Sequence, residues 1–440
     1  MRFIFAPLIF SNVFCANRKY FLNTCTFLYR TVPYLDRQIE MGRDPDFRLR
    51  FCSFLFVHSF IYLVCMMFIL SIFVWSALLQ SKISAALFSM PQKQKVLCCG
   101  VATLDTIATL DEYPSPDTKV RSNTLQHYGG GNAANTAVAM SRLGRVNVDL
   151  ISAIGNDANG DTIMKELVEE NVGVDEVQRY DGDSPWSYIV VAKDTRTIIH
   201  HPASKELSVS EDMVNLEQYC AVHFDGRHPE AAIYLSKKCI ELGIPYSVDV
   251  ERPREGLLEL LSGATAVFCT SNYCAVASGS SDVSGDDEKL LPSFRKVLEE
   301  QAPNAKIGIM TMGGSGSFLI QKGVKYGSKN EEVVAQSTDE IYPQVYERYY
   351  GLWCGVVSDC EVEDTTGAGD VFQGGVLSAL CDSGNYGKGE TKDPCNTLIL
   401  ARVLRIGSMV ASRKIQMAGR AGLPSVEDQV LTKEFEQMRV

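Results

Sequence analysis

The segment EDTTGAGDVFQGG, residues 363–375, combines a glycine-rich turn with a carboxylate. Gly367, Ala368 and Gly369 lead directly into Asp370, and an apolar, helix-like run follows. Backbone N–H groups at such a turn favour an anion, as does a helix N-terminus. A carboxylate beside this anion nest suits phosphoryl transfer, because it can take the proton of an attacking hydroxyl while the nest holds the moving group. A second interpretation stays open, since Asp is also a favoured helix cap.

Three further segments place polar groups next to turns. In HYGGGNAANTAVAMSRLG, Gly131 allows close approach of a ligand, and Asn132 and Asn135 offer amide donors and acceptors, although a plain turn into an amphipathic helix fits equally. Asp105 ends the run VLCCGVATLD, where we expect the end of a buried strand and either a helix cap or a ligand for substrate hydroxyls. In TMGGSG, Thr311–Gly316, another predicted strand enters a glycine turn. The sequence has no G-x-x-x-x-G-K-[ST] motif, so phosphates would be held without a Walker lysine.

The elements that must position these residues alternate in type from Lys95 onward. Runs such as VDLISAIG, AVHFDG, PYSVDV, AVFCTS and AKIGIMTMGG are typical of buried parallel strands, and DTIMKELVEENVG, HPEAAIYLSKKCIELG and LPSFRKVLEEQAP are typical of helices. The pattern predicts an α/β fold with a doubly wound, mostly parallel sheet and ligand loops at the strand ends. Residues of about 121–130 and 184–203 are too β-rich for crossovers and predict a small β-lid. Val324–Glu361 is expected to be a long link.

Residues 1–90 form an extension unlike the 91–440 domain. Residues 51–80 contain no Lys, Arg, Asp or Glu. This uncharged segment is longer than the roughly 20 apolar residues of a membrane-spanning helix. Residues 1–35 carry basic but no acidic side chains, as in transit peptides. Three interpretations remain: a membrane anchor, a plastid or mitochondrial transit segment, or a working start at Met90 that gives a cytoplasmic protein.

Bulk composition excludes some classes of partner. The formal net charge of −11 and the lack of a long basic run in the body of the chain argue against nucleic acid. The 14 cysteines are scattered through apolar runs, which favours reduced core thiols in an intracellular compartment over disulfides or zinc.

These residues resemble the ribokinase-like (PfkB) family of carbohydrate kinases over essentially everything after Lys95. The segment DTTGAGD is similar to the most specific signature of that family, GGGNAAN to its sugar-binding loop, and the TMGGSG turn to its nucleotide loop. Within the family, TRTIIHHPASKEL, VHFDGRHPEAA, YSVDVERPREGLLELL and QMAGRAGL resemble its ketohexokinase-type members. The resemblance implies ATP-dependent phosphorylation of a ketose or furanose hydroxyl, with ATP and Mg²⁺ and, in potassium-activated members, K⁺.

The resemblance also implies roles for single residues. Asp370 would be the general base, and the three residues before it the anion hole. Substrate hydroxyls would be held by Asp105, Gly131, Asn132 and Asn135, and the nucleotide by Thr311, Gly313 and Gly316. Arg196 would contact phosphate, and Asp364 and Thr366 would coordinate a monovalent cation.

One departure and several alternatives remain. Asn272 is followed by Tyr273, Cys274 and Ala275, so the glutamate of the family's N-x-x-E magnesium motif is missing, as it is in ketohexokinase-type members. A nucleoside kinase shares the same loops, and a non-catalytic family member would act as a binding subunit. A membrane protein with a secondary soluble part is a third alternative, and the lid would allow a homodimer.

Overall fold

The computed structural model describes residues 93–438 apart from 194, 212, 280–286, 323–340, 347–348, 357–359, 385, 387–394 and 421, together with scattered helical positions between 53 and 76. The chain divides into two compact units, Met1–Pro91 and Gln92–Val440. In the first unit the Ser71 hydroxyl donates to the carbonyl of Phe68 over 2.8 Å, a bond within a helix. Among the residues described, no helix combines the length and hydrophobicity needed to cross a bilayer. Much of the predicted hydrophobic segment at 51–80 lies outside the described residues.

The second unit alternates strands and helices. Its described strands are β1 (Lys95–Cys99), β2 (Thr103–Leu110), β3 (Thr124–Gly130), β4 (Asn147–Gly155), β5 (Val177–Tyr180), β6 (Trp186–Ala192), β7 (Thr195–His201), β8 (Ala221–Phe224), β9 (Tyr246–Val250), β10 (Ala266–Thr270), β11 (Ile307–Thr311), β12 (Ser317–Lys322), β13 (Ile341–Tyr346) and β14 (Tyr349–Cys354). Its described helices are α1 (Asn132–Leu143), α2 (Ala158–Glu169), α3 (Pro229–Leu242), α4 (Leu257–Ser262), α5 (Ser271–Ser278), α6 (Asp287–Lys296), α7 (Ala368–Asp382), α8 (Cys395–Lys414) and α9 (Gln429–Gln437).

A ten-stranded sheet forms the centre of this unit, in the order β13-β14-β12-β11-β10-β9-β8-β1-β4-β5. Strands β5, β4, β1, β8, β9, β10 and β11 run parallel to one another. The three remaining pairs, β11 with β12, β12 with β14 and β14 with β13, are antiparallel. Strands β8 and β9 are buried throughout, which explains why their sequences are unbroken apolar runs. The predicted α/β fold with a mostly parallel sheet is confirmed.

Helices cover both faces of the sheet, and the alternation of side chains along each strand divides the core in two. Val96 and Cys98 of β1 face a cluster with α1, α7 and α8, whereas Leu97 and Cys99 face a cluster with α3, α4 and α6. The cysteines whose side chains the structure describes are free thiols, and most of them are buried.

A second sheet of four strands, in the order β3-β2-β6-β7, forms the lid. Strand β2 was not expected there, because the apolar run 96–105 predicted a single core strand. That prediction is wrong: the amide of Gly100 makes a last sheet bond to Ile151 at 3.2 Å, and the next amide, of Val101, donates to the Asp225 carboxylate at 2.8 Å. The chain therefore leaves the core sheet after Cys99, and Asp105 lies inside a lid strand.

The expected long link at 324–361 is also partly wrong. Strands β13 and β14 extend the sheet beyond β12, with Ser317 opposite Cys354 and Lys322 opposite Tyr349. The aromatic and β-branched residues of this segment favour a pleated strand, which accounts for the pairing. Residues 323–340 lie outside the described part of the chain.

Candidate active site

A cavity of about 430 Å³ lies between the carboxyl ends of the parallel strands and the lid. The lining brings together eleven of the residues singled out in the sequence, namely Asp105, Gly131, Asn132, Asn135, Arg196, Thr311, Thr366, Gly367, Ala368, Gly369 and Asp370. Gly313 and Gly316 lie in the turn just after Thr311, and Asp364 lies two residues before Thr366, outside the lining. Residues separated by more than 250 positions in the chain therefore share one site.

Asp370 lies in the first turn of α7, and its residue is only 9% exposed. The helix N-cap is Gly367, whose φ of 74° is left-handed, so Asp370 is not the cap and that interpretation is wrong. The Asp370 carboxylate instead accepts a hydrogen bond from Asn135 Nδ2 at 2.9 Å, and the Asp370 carbonyl accepts one from the Thr136 hydroxyl at 3.1 Å. Burial raises the pKa of Asp370 well above its ordinary value, and the nearby negative charge of Asp249 raises it further.

The turn before Asp370 is open to the cavity. A β-carbon added at Gly369 would meet nothing within 4 Å, and one at Gly367 would lie 3.1 Å from Asn135 Nδ2. The amides of the first helical turn lack partners within their own helix. The N-terminus of α7 therefore offers N–H groups and a helix dipole to an anion next to the Asp370 carboxylate.

The lid presents alternate residues of its strands to the cavity. Asp105 of β2 pairs with Ser187 of β6, and Ser187 pairs with His200 of β7; all three line the cavity. Thr103 Oγ1 donates to Asp105 Oδ1 at 2.8 Å, and Ser187 Oγ lies 3.3 Å from His200 Nδ1. Burial raises the pKa of Asp105, although the hydrogen bond from Thr103 opposes the shift. This face therefore carries polar groups suited to binding hydroxyls.

Gly131 joins this face to α1. It is the N-cap of the helix with φ 92°, and a β-carbon there would lie 2.4 Å from the carbonyl oxygen of Val101. Another residue would therefore clash as well as strain the backbone. The turn fixes the start of α1, from which Asn132 and Asn135 reach the cavity.

Asp249 is a site residue that was missed in the sequence. It lies in β9, lines the cavity, and its Oδ2 accepts from Asn132 Nδ2 at 3.4 Å. Burial raises the pKa of Asp249 to about 7, against hydrogen bonds from Gln373 and Asn132 that lower it. The signal was available, because this Asp lies near the end of the run YSVDV as Asp105 ends its own run.

Two arginines, Arg227 and Arg252, were also missed. Both line the cavity, and neither side chain has an ion-pair partner among the described residues. Their positive charges, with that of Arg196, offset the carboxylates of the site and suit a polyanionic ligand.

The Asp364 carboxylate is hydrogen-bonded to residues of the C-terminal segment and does not line the cavity. Lys414 Nζ, whose side chain is 3% exposed, lies 2.7 Å from Asp364 Oδ2 and 2.8 Å from its carbonyl oxygen. The amides of Gly419 and Thr366 also donate to this carboxylate, at 3.0 and 2.8 Å. Burial opposes ionisation of Asp364, but the bond from Lys414 and its charge hold the pKa below the ordinary value. The carboxylate is therefore neutralised within the protein.

The turn predicted for the nucleotide follows β11. Thr311 ends this strand and lines the cavity, and residues 313–315 form one turn of 3-10 helix. Gly316 has φ 93°, and a β-carbon there would lie 2.2 Å from the carbonyl oxygen of Cys354. A β-carbon at Gly313 would meet nothing within 4 Å, so the turn has an open surface on that side.

Comparison with known proteins agrees with this geometry. The model of the family described as pfkB family carbohydrate kinase matches residues 93–338. Ketohexokinase of Mus musculus is 24% identical over 345 residues, which cover 76% of this chain and 99% of the relative. A nucleoside kinase of Methanocaldococcus jannaschii is also 24% identical, over 76% of this chain and 94% of its own length.

Solved structures share the fold. The ribokinase of Arabidopsis thaliana, solved with ribose and ATP, is similar with a TM-score of 0.59 and 18% identity, covering 78% of this chain and 99% of its own. A ribokinase from Agrobacterium tumefaciens, described as putative, gives a TM-score of 0.59 at 22% identity, covering 78% and 98%. The fold is ribokinase-like, and the resemblance seen in the sequence is confirmed. The family model spans more than half of the chain, which belongs to the pfkB family of carbohydrate kinases.

Proposed function

We propose that this protein transfers the γ-phosphoryl group of ATP to a hydroxyl of a ketose or furanose sugar, with Asp370 as the general base. The observation that carries the proposal is the position of Asp370. Its buried carboxylate lies at the N-terminus of α7, is held by Asn135, and shares one cavity with Asp105 and Thr311.

The acceptor binds between the lid and α1. Asp105, Asn132 and Asn135 supply carboxylate and amide groups for several hydroxyls, and a buried group left without its partner costs about 1–3 kcal/mol. One hydroxyl faces Asp370, whose carboxylate takes its proton as the oxygen attacks phosphorus. The raised pKa of Asp370 brings its basicity closer to that of a proton acceptor working near neutral pH.

The transferred phosphoryl group is stabilised by groups at fixed positions. Gly367, Ala368 and Gly369 line the cavity at the start of α7, and this turn is the proposed anion hole, although the Ala368 amide also donates to the Thr365 carbonyl at 3.2 Å. Arg196, Arg227 and Arg252 add positive charge in place of a Walker lysine, and the turn from Thr311 to Gly316 holds the nucleotide. Catalysis of this kind is mainly positioning and electrostatic stabilisation.

Magnesium fits this arrangement when it arrives with ATP. Among the described residues, no group of three or more His, Cys, Asp or Glu side chains could hold a metal ion alone. Glu251 and Thr270 line the cavity and offer the oxygen ligands that Mg²⁺ prefers, and this ion is usually bound by one or two carboxylates together with phosphates and water. The Glu251 carboxylate pairs with Arg254 at 3.1 Å but, unlike Asp364, it is half exposed. Bound there, the ion would neutralise charge on the phosphates. The missing glutamate after Asn272 is therefore compatible with metal use.

A potassium ion at Asp364 and Thr366 does not fit the residues present. The Asp364 carboxylate already accepts from Lys414 and two amides, and a second cation would lie next to a buried ammonium group. We propose that Lys414 supplies the positive charge at this position.

A nucleoside is the second candidate acceptor. Two lid residues that are paired across β6 and β7, Ile189 and Ile198, line the cavity on the same face as Asp105. An apolar surface there suits a nucleobase as well as a sugar ring. The Methanocaldococcus jannaschii relative is named a nucleoside kinase.

The test is phosphorylation of a panel of acceptors by the full chain with Mg²⁺ and ATP. Ketoses, aldoses, pentoses and nucleosides are compared by ADP release, and the product is identified by ³¹P NMR. We expect one sugar class to be phosphorylated. Product from nucleosides alone would favour the second candidate, and ligand binding without product from any acceptor would favour a binding subunit.

The lid also supports the homodimer proposed from the sequence. Leu125 and Ile199 lie on the lid face opposite Asp105 and are 54% and 58% exposed. If a second copy covers this face, light scattering will give twice the chain mass, and Ile199→Lys will return it to the monomer mass. A wild-type monomer would refute the dimer.

A further inference from the structure

A buried arginine lies behind the Asp370 carboxylate and outside the groups assigned so far. Arg420 follows α8 and is 9% exposed as a residue. Its Nε donates to Asn135 Oδ1 at 3.0 Å, and its Nη2 donates to the carbonyl of Gly130 at 3.3 Å. Its Nη1 lies 3.6 Å from Glu166 Oε2 of α2. Burying a guanidinium is costly, so these partners must hold it in one orientation.

The contacts of Arg420 decide which way the Asn135 amide points. A guanidinium has donors and no acceptor, so the Asn135 atom that faces it must be the oxygen. The amide nitrogen is then directed at the Asp370 carboxylate, which in its ionised form only accepts. An amide turned the other way would place its oxygen against that carboxylate and its N–H groups against a cation.

We infer that Arg420 is a positioning residue for the phosphoryl transfer, acting through Asn135 on the Asp370 carboxylate. The inference rests on the proposed function, because it gives Asp370 the role of the base. Arg420 is not among the residues that line the cavity; it fixes the donor that keeps the Asp370 carboxylate in place. Misplacing a reacting group by about 1 Å can cost on the order of 10²-fold in rate.

Several charged groups around Asp370 also shift its pKa, in addition to the relay, the path of hydrogen bonds from Arg420 through Asn135 to Asp370. Asp249 and Glu251 at the end of β9 and Asp225 after β8 are negative neighbours that disfavour its ionised form. Lys414 at the end of α8 is a positive group whose own pKa responds to the Asp370 charge. The hydrogen bond from Asn135 favours the ionised form, so losing it raises the pKa of Asp370.

The experiment compares Arg420→Met with Arg413→Met, whose arginine pairs with Asp428 at 3.2 Å away from the site. For Arg420→Met we expect kcat to fall by about 10²-fold at saturating sugar and ATP. We also expect the acid limb of its pH profile to move to higher pH. Arg413→Met should leave both unchanged. In an Asn135→Ala background, Arg420→Met should have little further effect on kcat, because the relay is already broken.

A direct measurement separates failure of the relay from failure of the proposed function. ¹³C-carboxyl NMR on aspartate-labelled protein, with the Asp370 signal assigned by Asp370→Asn, gives the pKa of Asp370 whether or not any acceptor is turned over. A higher pKa in Arg420→Met than in the wild type, with no further rise from Arg420→Met in the Asn135→Ala background, supports the relay. An unchanged value, or an equal rise in that background from loss of the Arg420 charge alone, overturns it. If Arg420→Met fails to fold, Arg420→Met with Glu166→Gln, which removes the partner charge, is used for the same measurement.

Discussion

Arg196 Nη1 of lid strand β7 donates to Thr365 Oγ1 over 2.6 Å, joining the lid to the loop that begins α7. The loop carries the proposed anion hole and the lid carries Asp105, so this bond links the proposed phosphoryl and acceptor ends of the cavity. Arg196 is exposed, and a guanidinium at this position can also reach a phosphate. The lid therefore serves to assemble the site as well as to cover it.

Arg196→Ala is expected to lower kcat/KM for ATP by roughly 10–10²-fold, the worth of one or two charge-assisted hydrogen bonds. Steady-state kinetics with saturating sugar measure the effect. Lys193→Ala is the matched control, because Lys193 is an exposed cation of the same hairpin that pairs with Glu112 at 3.3 Å. Equal losses in the two variants would show that general lid charge, rather than the bond to Thr365, is responsible.

Asp105→Ala should raise KM for the acceptor strongly and leave KM for ATP nearly unchanged. Removing the partner of buried substrate hydroxyls costs about 1–3 kcal/mol, or roughly 5- to 150-fold. Asp111→Ala, at an exposed Asp bonded to Asn123, controls for loss of charge at the end of the same strand. A similar loss for both substrates would mean that Asp105 only supports the lid.

The part of this site that is local in sequence could be predicted, and the part made by tertiary contacts could not. Asp370, Asn135 and Gly131 lie in short glycine-rich segments whose composition indicates ligand loops. Lys414 and Arg420 lie in or after a helix near the C-terminus, and only the folded chain brings them to Asp364 and Asn135. Their sequence neighbourhood gives no periodic signal for that contact.

The errors in the fold have the same origin. The run 96–105 is apolar enough for one strand, but a buried carboxylate from another strand end, Asp225, takes the amide of Val101 and ends the pairing. Strand β14 is defined by pairing with β12 and β13 by pairing with β14, contacts that single-sequence patterns do not encode. Parallel strands buried on both faces, such as β9, were predictable because their burial shows directly in composition.

Turnover should be the same in potassium and sodium salts at constant ionic strength. Lys414 already neutralises Asp364, so the loop does not require a monovalent cation. Lys414→Met should destabilise the protein by about 3–5 kcal/mol in urea unfolding, because it leaves a buried carboxylate unpaired. The double variant with Asp364→Asn should recover part of that loss. Several-fold activation of the wild type by potassium would show that the loop takes a cation despite Lys414.

Asp249→Asn is expected to move the acid limb of the kcat profile to lower pH. A general base acts in its ionised form, so if Asp370 has the proposed role, activity is lost as pH falls through its pKa, which burial and the charge of Asp249 raise. Removing that charge lowers the pKa of Asp370 and extends activity into acid. The direction is opposite to that expected for Arg420→Met. A shift to higher pH would contradict the placement of Asp249 beside the base.

Asp370→Asn tests the base itself. The substitution keeps the size of the side chain and removes its charge and basicity, so kcat should fall by about 10²–10⁴-fold, the usual worth of a positioned base. ATP affinity, measured by calorimetry on the same sample, should persist or increase, because a negative charge near the γ-phosphate is gone. Asp161→Asn is the control, since Asp161 also lies in the first turn of a helix but is exposed.

Thermal unfolding of the same variant separates a base from a structural carboxylate. The folded-state pKa of Asp370 is raised, so its contribution to stability is fully present below the unfolded-state pKa and is lost as pH rises through the folded-state pKa. Asn does not ionise and so loses no stability as pH rises. We therefore expect the Tm of Asp370→Asn to increase relative to that of the wild type as pH increases. A variant that unfolds earlier and yet turns over normally would remove Asp370 from the mechanism, because a structural carboxylate gives that pattern and a general base does not.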